Sequence, residues 1–280
     1  MTPKTGTACN DGDACTYNDV CSSSGACGGT TITCTSDQCN TRTCNGTATC
    51  AVVTFPDGRT CDDGNAATEV DVCTAGTCGA CVPLPPPSGI CFDGGEGCTS
   101  DADCAADDFC DIVAVVPFVD NDDGTVTDRR TCLVWEQKDG ADGTPGSGTL
   151  DYANPHDVDN VYTWTATDPA ADGTAFTDFL VKLNTPPCFA GHCDWRLPSE
   201  DGRNGSGPNE LESILLAPYP CGTRPCIDPI FGPTVDYKYW SATTSAGNPF
   251  YAWVVGFGFG QVDLVNKGLS YYVRAVRGGS

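Results

Sequence analysis

Sixteen of the chain's twenty-one cysteines lie within the first 110 residues, and that stretch has no tryptophan. Trp135, Trp164, Trp195, Trp240 and Trp253 all follow it. One folding logic cannot serve both parts. The front, poor in bulky apolar side chains, must be held by cross-links, whereas the back has the residues for a conventional core. Cysteines this dense persist as disulfides only in an oxidising compartment, so a secreted or cell-surface protein is expected. Zinc is the competing use of cysteine. It fails on ligands: His156 and His192 are the only histidines, and most front cysteines are five to seven residues apart, not two to four.

The 280 residues carry a formal net charge of −23. Acidic residues outnumber basic ones in both parts, which makes a polyanion such as nucleic acid or heparin a poor partner, because clustered Lys and Arg are missing; no nucleic acid is expected. No apolar run reaches the length of a membrane span. The first residues, Met1 to Thr5, contain no apolar leader, so a leader removed or not included is expected.

A repeat organises the front. Cys9-Asn10-Asp11-Gly12-Asp13-Ala14-Cys15-Thr16, with Asp19-Val20-Cys21, returns 52 residues later as Cys61-Asp62-Asp63-Gly64-Asn65-Ala66-Ala67-Thr68, with Asp71-Val72-Cys73. One full module holds eight cysteines and is followed by a shortened copy. Ala67 stands where the first copy has Cys15, so the partner of Cys15 is expected to be missing from the second copy as well. The chain is expected to divide into a repeat region, 1–81, a proline-rich spacer, 82–90, a cysteine-rich knot, 91–115, and a larger domain, 116–280.

That last domain reads as α+β. Phe118 to Lys138 forms strand, turn, strand around Asp123-Gly124. Phe176, Phe179, Leu180 and Leu183 have helical spacing, with Thr174 as cap, and Leu211, Ile214 and Leu215 mark a shorter helix. Strands are expected at Tyr237–Thr243, Tyr251–Phe259, Gln261–Asn266 and Tyr271–Arg277, with Trp253, Val255, Phe257 and Phe259 sharing a packed face.

The phrases Asp122-Asp123-Gly124-Thr125-Val126-Thr127-Asp128, Leu133-Val134-Trp135-Glu136, Asp194-Trp195-Arg196-Leu197-Pro198-Ser199, Tyr239-Trp240-Ser241-Ala242-Thr243-Thr244 and Tyr272-Val273-Arg274-Ala275-Val276-Arg277 occur in this order. Together they resemble the C-terminal domain family of the Legionella collagen-like adhesin, within the C-type-lectin-like fold. The front modules are more loosely similar to cysteine-rich repeats of secreted bacterial proteins. The resemblance implies a twisted antiparallel sheet flanked by two helices, with its N- and C-terminal strands paired. It also implies that Trp195 and Leu197 are core, that Arg196 forms an ion pair beneath the loops, and that irregular loops present the ligand surface. The sulfated glycan bound by the adhesin does not carry over to a domain of net charge −10 with scattered basic residues.

Two loops suit calcium: Asn10, Asp11, Asp13 and Asp19, and in register Asp62, Asp63, Asn65 and Asp71. Asx side chains also cap turns without metal, so both readings stand. The acidic turn Asp120 to Gly124 is out of EF-hand register and reads as a hairpin. Cys78-Gly79-Ala80-Cys81 has redox spacing but lies in a cysteine lattice, so a structural role is expected. Cys188 with Cys193, and Cys221 with Cys226, are expected to close local loops, leaving Cys132 as the odd cysteine of its domain. Tyr237, Asn248, Phe250, Tyr251, Asn266, Lys267 and Tyr271 lie in or beside the expected ligand loops, and ordinary turn residues are the competing reading. No nucleophile elbow surrounds Ser147, and no cysteine follows Cys226, so no enzyme is expected.

The favoured expectation is a secreted bacterial adhesion protein: small disulfide-rich modules form a stalk that presents a C-type-lectin-like head to an extracellular glycan or protein. The alternative is a structural subunit that self-associates into an extracellular filament or coat.

Overall fold

The computed structural model describes residues 4–65, 68, 70–84, 117–140, 145–146 and 148–278, together with the backbone of three strands between them. Ser147, the proline run beyond Leu84 and most of the expected knot lie outside the described residues. The chain divides into two units, Met1–Cys81 and Val82–Ser280.

The described residues of the first unit form small antiparallel sheets. Strands β1 (Thr16–Cys21) and β2 (Cys27–Thr31) pair, β3 (Asn40–Thr43) pairs with β4 (Ala51–Thr54), and β5 (Thr60–Cys61), β6 (Asp71–Thr74) and β7 (Thr77–Ala80) form a third sheet. Among the described residues its buried apolar side chains are Cys21, Cys39, Val70, Val72 and Cys73, too few to order about eighty residues by burial alone. Bridges do the holding: Cys9–Cys27, Cys15–Cys44, Cys34–Cys50, Cys39–Cys73 and Cys61–Cys78. Cys9–Cys27 and Cys61–Cys78 are repeat equivalents, and Cys44, the partner of Cys15, has no counterpart in the short copy. The first copy is not a closed eight-cysteine module, however. Cys39 leaves it for Cys73 of the second copy, and Cys21 is the free thiol among the described residues. Cys132, the odd cysteine of residues 116–280, is disulfide-bonded, so it is not the free thiol. Spacing alone could not reveal pairing that crosses the repeat boundary.

In the second unit β8 (Gly89–Cys91), β9 (Gly97–Cys98) and β10 (Cys110–Ile112) form a small sheet ordered β10-β8-β9. A four-stranded sheet follows, β11 (Phe118–Asp120), β12 (Thr125–Asp128), β13 (Leu133–Glu136) and β19 (Val276–Arg277), in which the last strand of the chain pairs with β13 at Val134–Arg277 and Trp135–Val276. The Asp120–Gly124 turn joins β11 to β12. Asp120 and Asp123 accept backbone N–H bonds there, and Asp122 and Gly124 take positive φ. Short β14 (Tyr162–Thr163) pairs with β18 (Ser270–Tyr271), and β15 (Lys238–Thr244), β16 (Tyr251–Gly256) and β17 (Gln261–Asn266) form a three-stranded sheet.

Helix is scarcer than the α+β expectation. The first helix is one π turn, Ala175–Phe179, running into α1 (Leu180–Asn184), and α2 (Glu210–Ser213) is a single turn. Thr174 makes no capping bond; its hydroxyl instead accepts from the Thr163 N–H. Small antiparallel sheets dominate. The expected Tyr271–Arg277 strand is broken into β18 and β19, because the buried Arg274 guanidinium donates to the carbonyls of Glu136 and Phe231 and to Thr234 Oγ1. The central strand β16 buries both faces: Ala252 and Val254 are as inaccessible as Val255 and Phe257, while Phe259 is 43 % exposed. The expected alternation fails there because structure covers each side of the strand. The main core joins Phe118, Trp135, Leu211, Phe231, Tyr239 and Val255 with their neighbours. Among the described residues, no helix is long and apolar enough to cross a membrane.

Candidate functional site

In the acidic loops, each copy builds the same turn from the same side chains. Asn10 Oδ1 accepts from Gly12 N, Asp11 Oδ1 from Asp13 N, and Asp19 Oδ2 from Asp11 N. In the second copy Asp62 Oδ1 accepts from Gly64 N, Asp63 Oδ1 from Asn65 N, and Asp71 Oδ2 from Asp63 N. Asp13 closes the first loop by accepting from Cys15 N. These bonds by themselves account for the repeated Asx residues. Carboxylate oxygens of Asp62, Asp63 and Asp71 also lie within 4.8 Å of one another, and the second oxygen of both Asp19 and Asp71 is buried without a hydrogen-bond partner. The Cys-x-x-Cys sulfurs are not paired with each other, since Cys78 is bonded to Cys61.

The seven expected ligand residues of the second unit fall into two groups. Asn248, Phe250, Tyr251, Asn266 and Lys267 gather at one end of the β16–β17 hairpin. Asn248 and Asn266 shape turns, accepting from Phe250 N and Gly268 N, and Phe250 is 46 % exposed. Lys267 is buried: its ammonium lies 3.7 Å from the Trp164 ring centroid and donates to Pro169 O and Thr244 Oγ1. Burial lowers its pKa. It ties three loops together and offers no charge to solvent. Tyr237 precedes β15 at the other end of the sheet, 54 % exposed, with its ring 5.9 Å from that of Tyr271.

A groove of about 740 Å³ lies elsewhere, lined by Arg203, Glu212, Tyr219, Phe259, Gln261 and Asp263 among others. The Cys221–Cys226 bridge closes the loop beside it. Cys221 N donates to Phe259 O and Cys226 N to Phe257 O, and the Arg224 guanidinium sits 3.9 Å over the Phe259 ring. Tyr219, 66 % exposed, lines the groove together with Phe259. Arg203 pairs with Glu212 at 2.5 Å on the wall. Behind the wall, burial pushes the Glu200 carboxyl up to about 8, against the pull of the Glu212 N–H that donates to it. The sequence signal for this groove was available: a proline-rich, disulfide-closed loop facing an aromatic at the β16–β17 turn.

Elsewhere the unit is locked. Cys188 and Cys193 are bonded, Trp195 Nε1 donates to Phe189 O, and Arg196 makes a two-pronged contact with Glu210 at 2.6 and 2.8 Å. Leu197 is buried.

Comparison with curated proteins returns no match. The family model described as the Lcl C-terminal domain matches residues 124–277, more than half of the chain. The match takes in the β13–β19 pairing, in which the last strand joins the third strand of the sheet and not its N-terminal strand β11, as well as the Arg196–Glu210 lock and the groove, so the chain belongs to the Lcl C-terminal domain family.

Proposed function

We propose that this is a secreted bacterial surface protein in which disulfide-stapled modules carry a C-type-lectin-like head, and that the head binds an extracellular glycan or protein without chemistry. Family membership and the density of bridges support the surface location. The observation that carries the binding role is the Tyr219–Phe259 groove. It sets exposed aromatic rings beside guanidinium, amide and carboxylate groups, the mixture that suits a hydroxyl-rich ligand. The net charge of −23 favours neutral over sulfated glycans. Calcium is proposed at Asp62, Asp63 and Asp71, where three carboxylates converge and the buried Asp71 oxygen lacks a donor.

Binding of the native protein to a neutral-glycan array tests the head. Tyr219→Ala or Phe259→Ala should weaken binding about tenfold or more, and Tyr237→Ala should leave it unchanged. Silence on every neutral glycan would end the glycan reading, and loss with Tyr237→Ala alone would move the site to the tyrosine pair. Amide exchange with calcium and with chelator tests the cation. Protection around residues 62–74 should fall with chelator, and identical exchange would refute the site.

A further inference from the structure

The two copies of the repeat build the same backbone around one cysteine and give that cysteine different fates. In the first copy Gly6 N donates to Cys21 O and Cys21 N to Thr7 O. In the second, Gly58 N donates to Cys73 O and Cys73 N to Arg59 O, 52 residues on. Gly6 and Gly58 both take positive φ. Yet Cys73 is bonded to Cys39, and Cys21 is free.

The Cys39–Cys73 bond is one part of a docked surface. The segment leading into β3 lies on the second copy, where Gln38 Nε2 donates to Asp62 O and Gln38 Oε1 accepts from Asp62 N. Asn40 Nδ2 donates to Gly76 O. A Cβ placed on Gly76 would stand 2.9 Å from Asn40 Oδ1, so the hairpin covers that turn closely. At Gly25, in the corresponding turn of the first copy, which is one residue longer and has φ +83° there, a Cβ would meet nothing within 4 Å. Exposure differs along the strand: Val72 is 6 % exposed and its counterpart Val20 is 45 % exposed, although Cys21 itself is buried at 6 %. The first copy thus presents the receiving face of a junction that the second copy has filled.

We propose that the Cys21 face receives a β-hairpin like that of residues 37–55, supplied by a further module of this repeat, and that Cys21 forms a disulfide with that hairpin's cysteine. A second copy of the chain cannot supply it while its own Cys39 is held by Cys73. The junction would add modules end to end through Asp-Gln-Cys-Asn segments such as Asp37-Gln38-Cys39-Asn40, independently of what the head binds. In a secretory compartment the two thiols would lose two protons and two electrons to a thiol–disulfide oxidoreductase.

The test uses the native protein and a synthetic peptide of residues 33–55. The peptide keeps its Cys34–Cys50 bridge, carries Cys44→Ser, and has Cys39 activated as a mixed disulfide with 2-thiopyridone. The Cys21 thiolate attacks the peptide's Cys39 sulfur, the bond to the thiopyridyl sulfur breaks, and thiopyridone leaves with the proton that Cys21 lost. A one-to-one adduct at Cys21 is expected. It should form about tenfold or more faster than with a peptide carrying Gln38→Ala and Asn40→Ala, and not at all with Cys21→Ser protein. Equal rates for the two peptides, or no adduct, would overturn the proposal.

Discussion

Full reduction and alkylation of the native protein is expected to unfold residues 4–81 and to leave the unit beyond residue 117 folded. The two units differ in what opposes chain entropy. Among the described residues, the first buries two valines and three cysteines as apolar side chains, whereas the second buries four tryptophans. Ordering costs on the order of 1–2 kcal/mol per residue, which so small a core cannot offset. The bridges span separations from 16 residues, Cys34–Cys50, to 34 residues, Cys39–Cys73. Loop-closure entropy puts each at about 3–4 kcal/mol, so losing all of them exceeds the ~5–15 kcal/mol stability of an ordinary domain. In the second unit Cys188–Cys193 and Cys221–Cys226 close loops of separation 5 and constrain little. Tryptophan gives a clean readout, because none lies in the first unit. Amide exchange should lose protection at β1 to β7 while tryptophan emission holds its position. A red shift that accompanies that loss would show that the second unit depends on its bridges too.

The parts of this architecture that were legible in the sequence are those written in local pattern. The 52-residue echo, the Asx turns and the change of texture near residue 116 needed no knowledge of distant contacts. Pairing across the repeat boundary did need it: Cys21 and Cys73 have near-identical neighbours, and what separates them is Cys39, far away in sequence. Buried charge misled in the same way. Lys267 and Arg274 look like surface residues until carbonyls from several loops converge on them. Of the four residues with helical spacing, Phe179 and Leu183 are buried while Phe176 and Leu180 are half-buried, and the segment begins with a π turn rather than a regular helix. At the candidate site, the aromatic residues at the two sheet ends were visible from composition, while the groove at Tyr219 depends on how the Cys221–Cys226 loop is laid against Phe257 and Phe259.

Glu136→Gln is expected to destabilise the second unit by about 3–5 kcal/mol, the cost of removing one member of a buried ion pair. Glu136 is wholly buried, and its Oε1 takes the Lys138 ammonium at 2.9 Å and His156 Nδ1 at 2.9 Å. Oε2 accepts from Ala275 N, beside the strand that closes the four-stranded sheet. A glutamine keeps the shape and loses the charge. If its oxygen faces Lys138, its amide N–H₂ must face the Ala275 N–H, donor against donor. The Lys138 ammonium, 4.6 Å from the Phe179 ring centroid, would then be buried without its counter-charge. Replacing both members, Glu136→Leu with Lys138→Met, should cost less than Glu136→Gln alone, because no charge is left uncompensated. The pH dependence follows from the same contacts. Burial alone would raise the Glu136 carboxyl, but Lys138 and His156 outweigh it and hold the group at about 2, below its ordinary 4.5. A depressed acid stabilises the fold fully above its unfolded value, and that stability drains away as pH falls from 4.5 through 2. Urea unfolding followed by tryptophan emission between those limits should show a steeper acid loss for the wild-type protein than for Glu136→Gln. Parallel curves would mean that Glu136 carries no net charge in the fold, and the ion-pair account of this core would fail.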